Sequence, residues 1–362
     1  MNKQDIKSMT LPELEEAFAA LGEPKFRAGQ VYTWLHEKYV QSFSEMTNIS
    51  TKFRQVLTDH FYITSLKVLK RLVSRIDNTV KYLYALPDGR QIETVSMLYH
   101  HGRSICVSTQ VGCKMGCTFC ASTIAGFVRN LAPSEILEQI YETERDLGPI
   151  SSVVLMGIGE PLDNFDNVMR FLELLSAPKG RNLSLRHVSL STCGLADKID
   201  ELANRRLGLT LSVSLHAPND VIRRRTMPVA QKWPMETLLA SCRRYAELTS
   251  RRISFEYALI RGINDSLDNA DELAGKLRGM LCHVNLIPVN EVKERSYRAS
   301  TRASVQAFMD RLTRRGIQTT VRRTLGADIQ AACGQLRREH LDQTSDLPQE
   351  MQSTEKIGRA DA

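Results

Sequence analysis

The segment "GCKMGCTFCAS", Gly112 to Ser122, places Cys113, Cys117 and Cys120 within eight residues of a chain that has eight cysteines in all. Thiols this close in sequence force the loop that carries them to wrap around whatever they hold. The compartment decides what that is. The start, "MNKQDIKSMTLPELEEAF", has no apolar stretch between a basic flank and a small-residue cleavage site, so it does not read as a secretory signal. No apolar run approaches the roughly 18 to 20 residues of a membrane span. A cytoplasmic location is expected, where reduced thiols serve metals or catalysis rather than a disulfide framework. Structural zinc wants four ligands in paired C-x2-C form, and Cys106 lies before the loop on a predicted strand. A cubane 4Fe-4S cluster instead tolerates three protein thiolates and leaves one iron free to chelate a small molecule. The C-x3-C-x2-C spacing points to that cluster, with Gly112 and Gly116 relieving crowding where the backbone wraps it.

The rest of the chain supplies a scaffold. In the first part, Thr10 and Glu13 form a capping-box signature ahead of Leu14, Phe18 and Leu21, and Gly22 supplies a stop. Further amphipathic segments carry Val31, Trp34, Leu35 and Tyr39, then Phe53, Val56 and Leu57. These predict an N-terminal helical accessory domain over residues 1–75. "KYLYALPDGRQIETVSML" predicts a connecting β-hairpin over 76–98, turning at Pro87-Asp88-Gly89. From Ser104 the pattern changes. Strand-like runs "SICVSTQ", "ISSVVLMG", "RHVSLST", "LTLSVSLHA", "RISFEYALI", "CHVNLIPV" and "QTTVRRT" alternate with helical stretches near Pro133 to Leu147, Phe165 to Ser176, Ala196 to Arg205, Pro234 to Thr249, Leu267 to Leu277 and Thr301 to Arg315. Repeated strand then helix means a parallel sheet with right-handed crossovers. The expected fold is α/β, a partial (β/α)6 TIM-like barrel over 99–340, with an open doubly wound sheet as the alternative. The polar tail 341–362 reads as disordered.

In a barrel the C-terminal ends of the strands face one mouth, and active sites sit there. The unusual residues fall on that rim. The cysteine triplet follows the first strand; "GIGEP" follows the second; Ser191 ends the third; Ser214 and His216 end the fourth; Asn290 follows the sixth.

With C-x3-C-x2-C after the first barrel strand, the sequence resembles the radical S-adenosylmethionine superfamily. In that superfamily the open iron binds the amino and carboxylate groups of S-adenosylmethionine, and a Gly-Glu motif contacts the amino group; Gly159 and Glu160 match it. One branch is closer still, the RlmN and Cfr type of rRNA adenine methyltransferase. The resemblance runs from "LGEPKFRAGQVYTWL" to "ADIQAACGQL" through "IETVSM", "CVSTQVGC", "GIGEPLDN", "LSTCG", "SVSLHAPND" and "VNLIPVN". The N-terminal domain and "CVSTQVGC" favour the RlmN-like side. The resemblance implies that Ser191, Ser214, Leu215, His216 and Asn290 complete the cofactor site. It makes Cys333 the methyl-carrying residue, Cys106 the thiol that resolves the covalent adduct, and Glu93 a base. Cys193 matches no family role and reads as a small core residue.

That chemistry has a physical motive. C2 of adenine lies between two ring nitrogens and is too electron-poor to attack a sulfonium methyl. The resemblance implies a radical route: Cys333 is methylated by one S-adenosylmethionine, and a second is split by one electron to a 5'-deoxyadenosyl radical that takes hydrogen from the methylated Cys333. The carbon radical adds to C2, a base such as Glu93 removes the C2 proton, and Cys106 attacks the Cys333 sulfur. A transient disulfide results, which the cell must reduce. The implied substrates are 23S rRNA at the peptidyl-transferase centre and the tRNA anticodon loop, and the electron donor a flavodoxin or ferredoxin; no membrane or stable protein partner is expected. Cfr-type C8 methylation, conferring antibiotic resistance, is one alternative, and a non-catalytic zinc or RNA-binding protein another.

The formal charge of +7 suits an anionic substrate but does not identify one. Candidate phosphate contacts are Arg223, Arg224 and Arg225; Arg243 and Arg244; Arg251 and Arg252; Arg322 and Arg323. The first set is best placed at the mouth, and Arg243 and Arg244 read as solvated helix surface paired with acids. The target base must be reached unstacked.

Overall fold

A computed structural model describes residues 3–290, 295–329, 331 and 336. The N-terminal unit runs β1 (Gln4–Asp5), α1 (Leu11–Ala20), α2 (Phe26–His36), α3 (Thr51–His60) and β2 (Phe61–Tyr62), with β2 parallel to β1. The capping box forms: the Glu13 carboxylate accepts the Thr10 N–H at 2.7 Å, and the Thr10 hydroxyl accepts the Glu13 N–H. Leu14, Phe18, Val31, Leu35, Phe53 and Leu57 then meet in the core of the unit, with Phe18 edge-on to Phe53 at 5.2 Å.

Next come β3 (Lys67–Val73), β4 (Val80–Ala85), β5 (Gln91–Tyr99) and β6 (Gly102–Cys106), each antiparallel to the one before. A separate antiparallel pair, β7 (Gln110–Gly112) and β8 (Phe127–Asn130), carries the cysteine loop between its strands. The alternating part follows: α4 (Pro133–Leu147), β9 (Ser152–Leu155), α5 (Phe165–Ser176), β10 (Val188–Thr192), α6 (Ala196–Arg205), β11 (Thr210–Ser214), α7 (Asp220–Thr226), α8 (Met235–Thr249), β12 (Ile253–Leu259), α9 (Leu267–Leu277), β13 (Cys282–Pro288), α10 (Arg302–Arg314) and β14 (Thr319–Val321).

All but the two small pairs join one ten-stranded sheet, ordered β14-β13-β12-β11-β10-β9-β6-β5-β4-β3. From β6 to β14 every neighbouring pair is parallel, as the expected partial barrel requires. The segment 76–98 is not a connector between two domains. Together with β3, which falls inside the expected helical domain, it extends the barrel sheet. Strand β4 is buried at every position, which a free-standing hairpin could not achieve. The two sheet edges are then drawn together. Past β14, the Gly326 N–H donates to Asp77 at 2.8 Å, while Asp328 accepts from the Ser74 hydroxyl at 2.7 Å and the Arg75 N–H at 2.9 Å. The β14 edge is thereby tied to the turn between β3 and β4, and the sheet curls without closing its ladder.

Register sorts the two faces. Cys106 lies opposite Val95 and Val154, Val154 opposite Ser189, Ser191 opposite Ser212, Ser212 opposite Ser254, and Ser214 opposite Glu256. These positions share the face that lines the partial barrel. The other face carries Leu155, Leu190, Leu211, Val213 and Phe255, all buried in the core. Among the described residues no helix is long and apolar enough to cross a membrane. The tail 341–362 lies outside the described residues.

The N-terminal unit docks on α4 through charge. Lys7 Nζ sits 2.5 Å from Glu138 Oε2 with both side chains fully buried, and Arg145 pairs with the other Glu138 oxygen. Beside them His36 Nδ1 meets the Tyr141 hydroxyl at 2.9 Å. Removing one partner of a buried pair leaves a desolvated charge behind. Lys7→Met is expected to lower folding stability by about 3 kcal/mol, read as a lower urea midpoint; a loss below about 0.5 kcal/mol would show that Arg145 alone satisfies Glu138.

Candidate active site

The cysteine loop is shaped before any ligand enters. Gly112 has φ +81°, and a Cβ there would lie 1.8 Å from the Gly126 carbonyl oxygen, so only glycine allows the close return of the loop. The Cys113 N–H closes that return by donating to the same carbonyl at 3.1 Å. Farther along, the Thr123 hydroxyl reaches the carbonyls of Cys117 and Cys120 at 3.1 and 3.0 Å. Burial pushes the Cys113 thiol up to about 12 and the Cys117 thiol higher still, and in each case Cys120 and Glu160 add to the rise. The three thiols therefore lie near enough to one another and to Glu160 for their charges to interact.

That loop is pinned to β7. Gly159, at φ +107°, lies against Gln110, where a Cβ would come within 2.6 Å of the Gln110 Cβ. Gln110 accepts the Glu160 N–H at 2.8 Å and donates to Asn130 and Asp163, both at 2.8 Å. The Glu160 carboxylate is buried and accepts the Cys193 N–H at 2.7 Å and the Leu162 N–H at 3.1 Å; burial nonetheless raises its pKa. Cys193 thus acts through its backbone, and its carbonyl accepts from Arg223 at 2.7 Å.

The ends of the third and fourth barrel strands reach the same place. Ser191 and Ser214 are half-buried on the lining face. Leu215 is fully buried, so it can offer a ligand only its backbone. The Leu215 and His216 N–H groups both donate to the Glu256 carbonyl, at 3.0 and 3.3 Å, which folds His216 into a left-handed turn at φ +53°. His216 Nδ1 accepts the Ala258 N–H at 2.8 Å, so the neutral ring carries its hydrogen on Nε2. Burial first, and Arg223 second, lower its pKa to about 3. Phe119 of the cysteine loop packs edge-on to this ring at 5.0 Å, joining the loop to the end of β11. Asn290 lies just past β13 and is exposed.

Across the sheet, Cys106 ends β6, half-buried, its thiol pushed up to about 11 mainly by burial. Glu93 is two residues from Val95, the partner of Cys106, and so shares its face. It is buried, and its carboxylate meets Lys81 Nζ at 3.0 Å, a diagonal pair across the β4–β5 ladder. The sequence reading missed Lys81, although a lysine in the apolar run "VKYLYA" opposite a strand with one acid is a legible signal. Cys333 lies outside the described residues.

The arginines separate by position. Arg223 is fully buried, donating to the Cys193 and Trp233 carbonyls, so it cannot meet an RNA phosphate; Arg224 and Arg225 beside it are exposed. Arg244 pairs with Asp200 at 2.7 Å on the outer helices. Arg251 and Arg252 precede β12 and stand at the end of the barrel away from the mouth. Arg322 and Arg323 follow β14 at the mouth, both exposed.

The donor set and its cradle fit a 4Fe-4S cluster: three neighbouring thiols in a loop whose tight return forbids a side chain at Gly112. Among the described residues no three His, Cys, Asp or Glu side chains converge on one metal ion. Thiolates around a single zinc stand about 3.8 Å apart, whereas a cubane takes one thiolate on each iron and spaces them wider.

Residues 107–274 match the radical SAM superfamily, and residues 4–63 match the ribosomal RNA large subunit methyltransferase N-terminal domain. Fold and site together define a radical S-adenosylmethionine enzyme. A "Probable dual-specificity RNA methyltransferase RlmN" of Alkaliphilus oremlandii is 52% identical over 342 residues, 94% of this chain and 99% of the relative. One of Lachnospira eligens is 50% identical over 339 residues, 93% and 97% of the two chains. The crystal structure of a radical SAM methyltransferase from Sphaerobacter thermophilus superposes with a TM-score of 0.88 at 40% identity, covering 92% of this chain and 98% of that one. The chain belongs to the RlmN family of radical SAM RNA methyltransferases.

Gly112→Ala is expected to cut iron and sulfide content after anaerobic reconstitution severalfold while leaving the far-ultraviolet circular dichroism unchanged; full iron loading would remove the cradle argument. His36 is buried and, like His216, has its pKa lowered to about 3. Both stay neutral when folded, while the unfolded chain protonates them near 6.5. Stability is therefore complete above about pH 6.5 and falls as pH drops toward 3, by at most about 2 kcal/mol for each histidine between pH 7 and 5. Urea unfolding at those two pH values, compared with a His36→Gln variant, measures this.

Proposed function

We propose that the enzyme methylates C2 of an adenine in 23S rRNA, and in tRNA, through a methylated Cys333. The observation that carries the reading is the register of β4, β5 and β6, which sets the Cys106 thiol and the Lys81-paired Glu93 on one barrel-lining face. That face continues through Ser191 to Ser214.

Cys113, Cys117 and Cys120 would hold the cluster. The backbone and side chains of Gly159, Glu160, Ser191, Ser214, Leu215, His216 and Asn290 would hold S-adenosylmethionine. When bound, cluster and cofactor supply a one-electron cleavage of the sulfonium. Glu160, with its carboxylate already ordered by two backbone N–H groups, offers a fixed negative edge to the methionine ammonium.

Two cofactor molecules serve one turnover, one as the source of the methyl that Cys333 carries and one to be cleaved. Cys333 itself lies outside the described residues, and only its distance along the chain from a described anchor is fixed. Asp328 ties the chain to Ser74 and Arg75 just ahead of β4, and Cys333 is five residues on, within about 18 Å of extended chain. After the carbon joins C2, Glu93 is the group that takes the C2 proton, with Lys81 holding its carboxylate toward the lining face. Once the adduct has given up its unpaired electron, which would return to the cluster, the Cys106 thiolate attacks the sulfur of Cys333: a disulfide forms, the bond from that sulfur to the new carbon breaks with its electron pair on carbon, and a proton completes the methyl group. A reducing cytoplasm opens the disulfide, and a flavodoxin or ferredoxin supplies the electron.

Cys333→Ala is expected to abolish methylation, and Cys106→Ala to accumulate a covalent protein–RNA adduct, seen as a slow band on a denaturing gel. Normal turnover of Cys106→Ala would sink the resolving role. Mass mapping of the modified base tests the position, and a methyl on C8 would replace this reading by the Cfr-type one.

A further inference from the structure

The reading above leaves Arg322 without a task. Its N–H donates to the Leu286 carbonyl at 2.8 Å, so it prolongs β14 by one residue. Thr320, two residues earlier on the same face, donates to Asn285 Oδ1 at 3.0 Å, and Asn285 Nδ2 donates to the buried Glu256 carboxylate at 2.8 Å. Arg322 therefore emerges from the lining face one step nearer the mouth than this chain of hydrogen bonds. There it is exposed.

Two groups feel its charge. Its charge opposes the rise in pKa of both the Cys106 thiol and the Glu256 carboxylate. Neither uses it up. Glu256 is filled by the Ser254 hydroxyl and Asn285, both at 2.8 Å, and among the described residues no carboxylate forms an ion pair with Arg322. An unspent guanidinium at the rim, near the thiol that must reach the adduct, suits a bidentate phosphate contact.

We propose that Arg322 binds the backbone phosphate of the target nucleotide and thereby sets the adenine over the lining face that carries Cys106. This rests on the RNA reading above. Phosphate contacts position a nucleic acid without reading its sequence, so Arg322 fixes depth and orientation while the pocket selects the base.

The test uses anaerobically reconstituted full-length enzyme and a hairpin RNA with an unpaired adenine that the wild type methylates, made also with an uncharged methylphosphonate 5' to that adenine. Arg322→Gln is expected to weaken binding about tenfold and to reduce the slope of log affinity against log salt by about 0.7 to 1, with Arg322→Lys losing less. The methylphosphonate should weaken the wild type to the same degree and the Gln variant no further. An unchanged salt slope would overturn the proposal, and slower alkylation of Cys106 alongside it would assign Arg322 to the thiol instead. A wild type that neither binds nor methylates any such RNA would sink the RNA reading first, and this proposal with it.

Discussion

Side chains alternate across a strand, so a one-residue slip in any ladder from β4 to β14 would turn Glu93, Cys106, Ser214 or Glu256 out of the barrel and under its helices. Register is strongly specified here because the opposite face is apolar: Leu155, Leu190, Leu211, Val213 and Phe255 have nowhere to go but the core. Burying each such side chain contributes roughly 1.5–3 kcal/mol. The positions of the polar groups are thus set by their apolar neighbours in the same strands. The candidate site residues lie on one face and the stability that holds them in place on the other.

The cysteine loop depends on that sheet without belonging to its ladder. It hangs from β7 and β8, and the contacts that hold it from outside include Gln110 to the Gly-Glu loop, Lys114 to Asp163 at 2.9 Å, Phe119 to His216, the Thr118 hydroxyl to that of Tyr297 at 2.7 Å, and the Thr118 N–H to the Thr226 carbonyl at 2.9 Å. The last comes from α7, whose buried Arg223 braces Cys193, whose amide in turn orients Glu160. An arginine in a run of three is read most simply as surface. Its burial shows why charge patterning misleads here: two of its nitrogens donate to peptide carbonyls instead of facing a phosphate, and its Nε is buried with no hydrogen-bond partner.

Most barrel helices were legible nearly to the residue, α4, α5, α6 and α9 ending where their apolar period ends, because that period and its caps are local properties; the short α7 was not anticipated. The cysteine triplet and the Gly-Glu turn were legible for the same reason. What the sequence hid was long-range. That 67–98 joins the barrel sheet depends on β5 finding β6 rather than standing alone. That Asp77 and Asp328 bring the sheet edges together depends on residues some 250 apart in the chain. Gln110 and Asn164 lie inside the stretches "CVSTQVGC" and "GIGEPLDN", yet nothing in those stretches shows what either side chain holds. Asn164 nonetheless donates to the carbonyls of Thr109 and Leu131, both at 2.9 Å, in a place where water cannot reach.

The raised pKa of Cys106 bears on the order of events. A thiol pushed up to about 11 stays almost wholly protonated at pH 7. On the proposed chemistry that is protective, since a thiolate beside a sulfonium would compete for the methyl that belongs on another cysteine. The largest cause of the rise is burial, opposed by Arg322 and Lys81. Burial can be relieved and charge can be moved, so the same thiol need not stay inert. The neighbouring Glu93 charge adds to the rise, and the Lys81 charge opposes it. Proton transfer to Glu93 would thus ease ionisation of the resolving thiol, so that it becomes a nucleophile after the base has acted and not before.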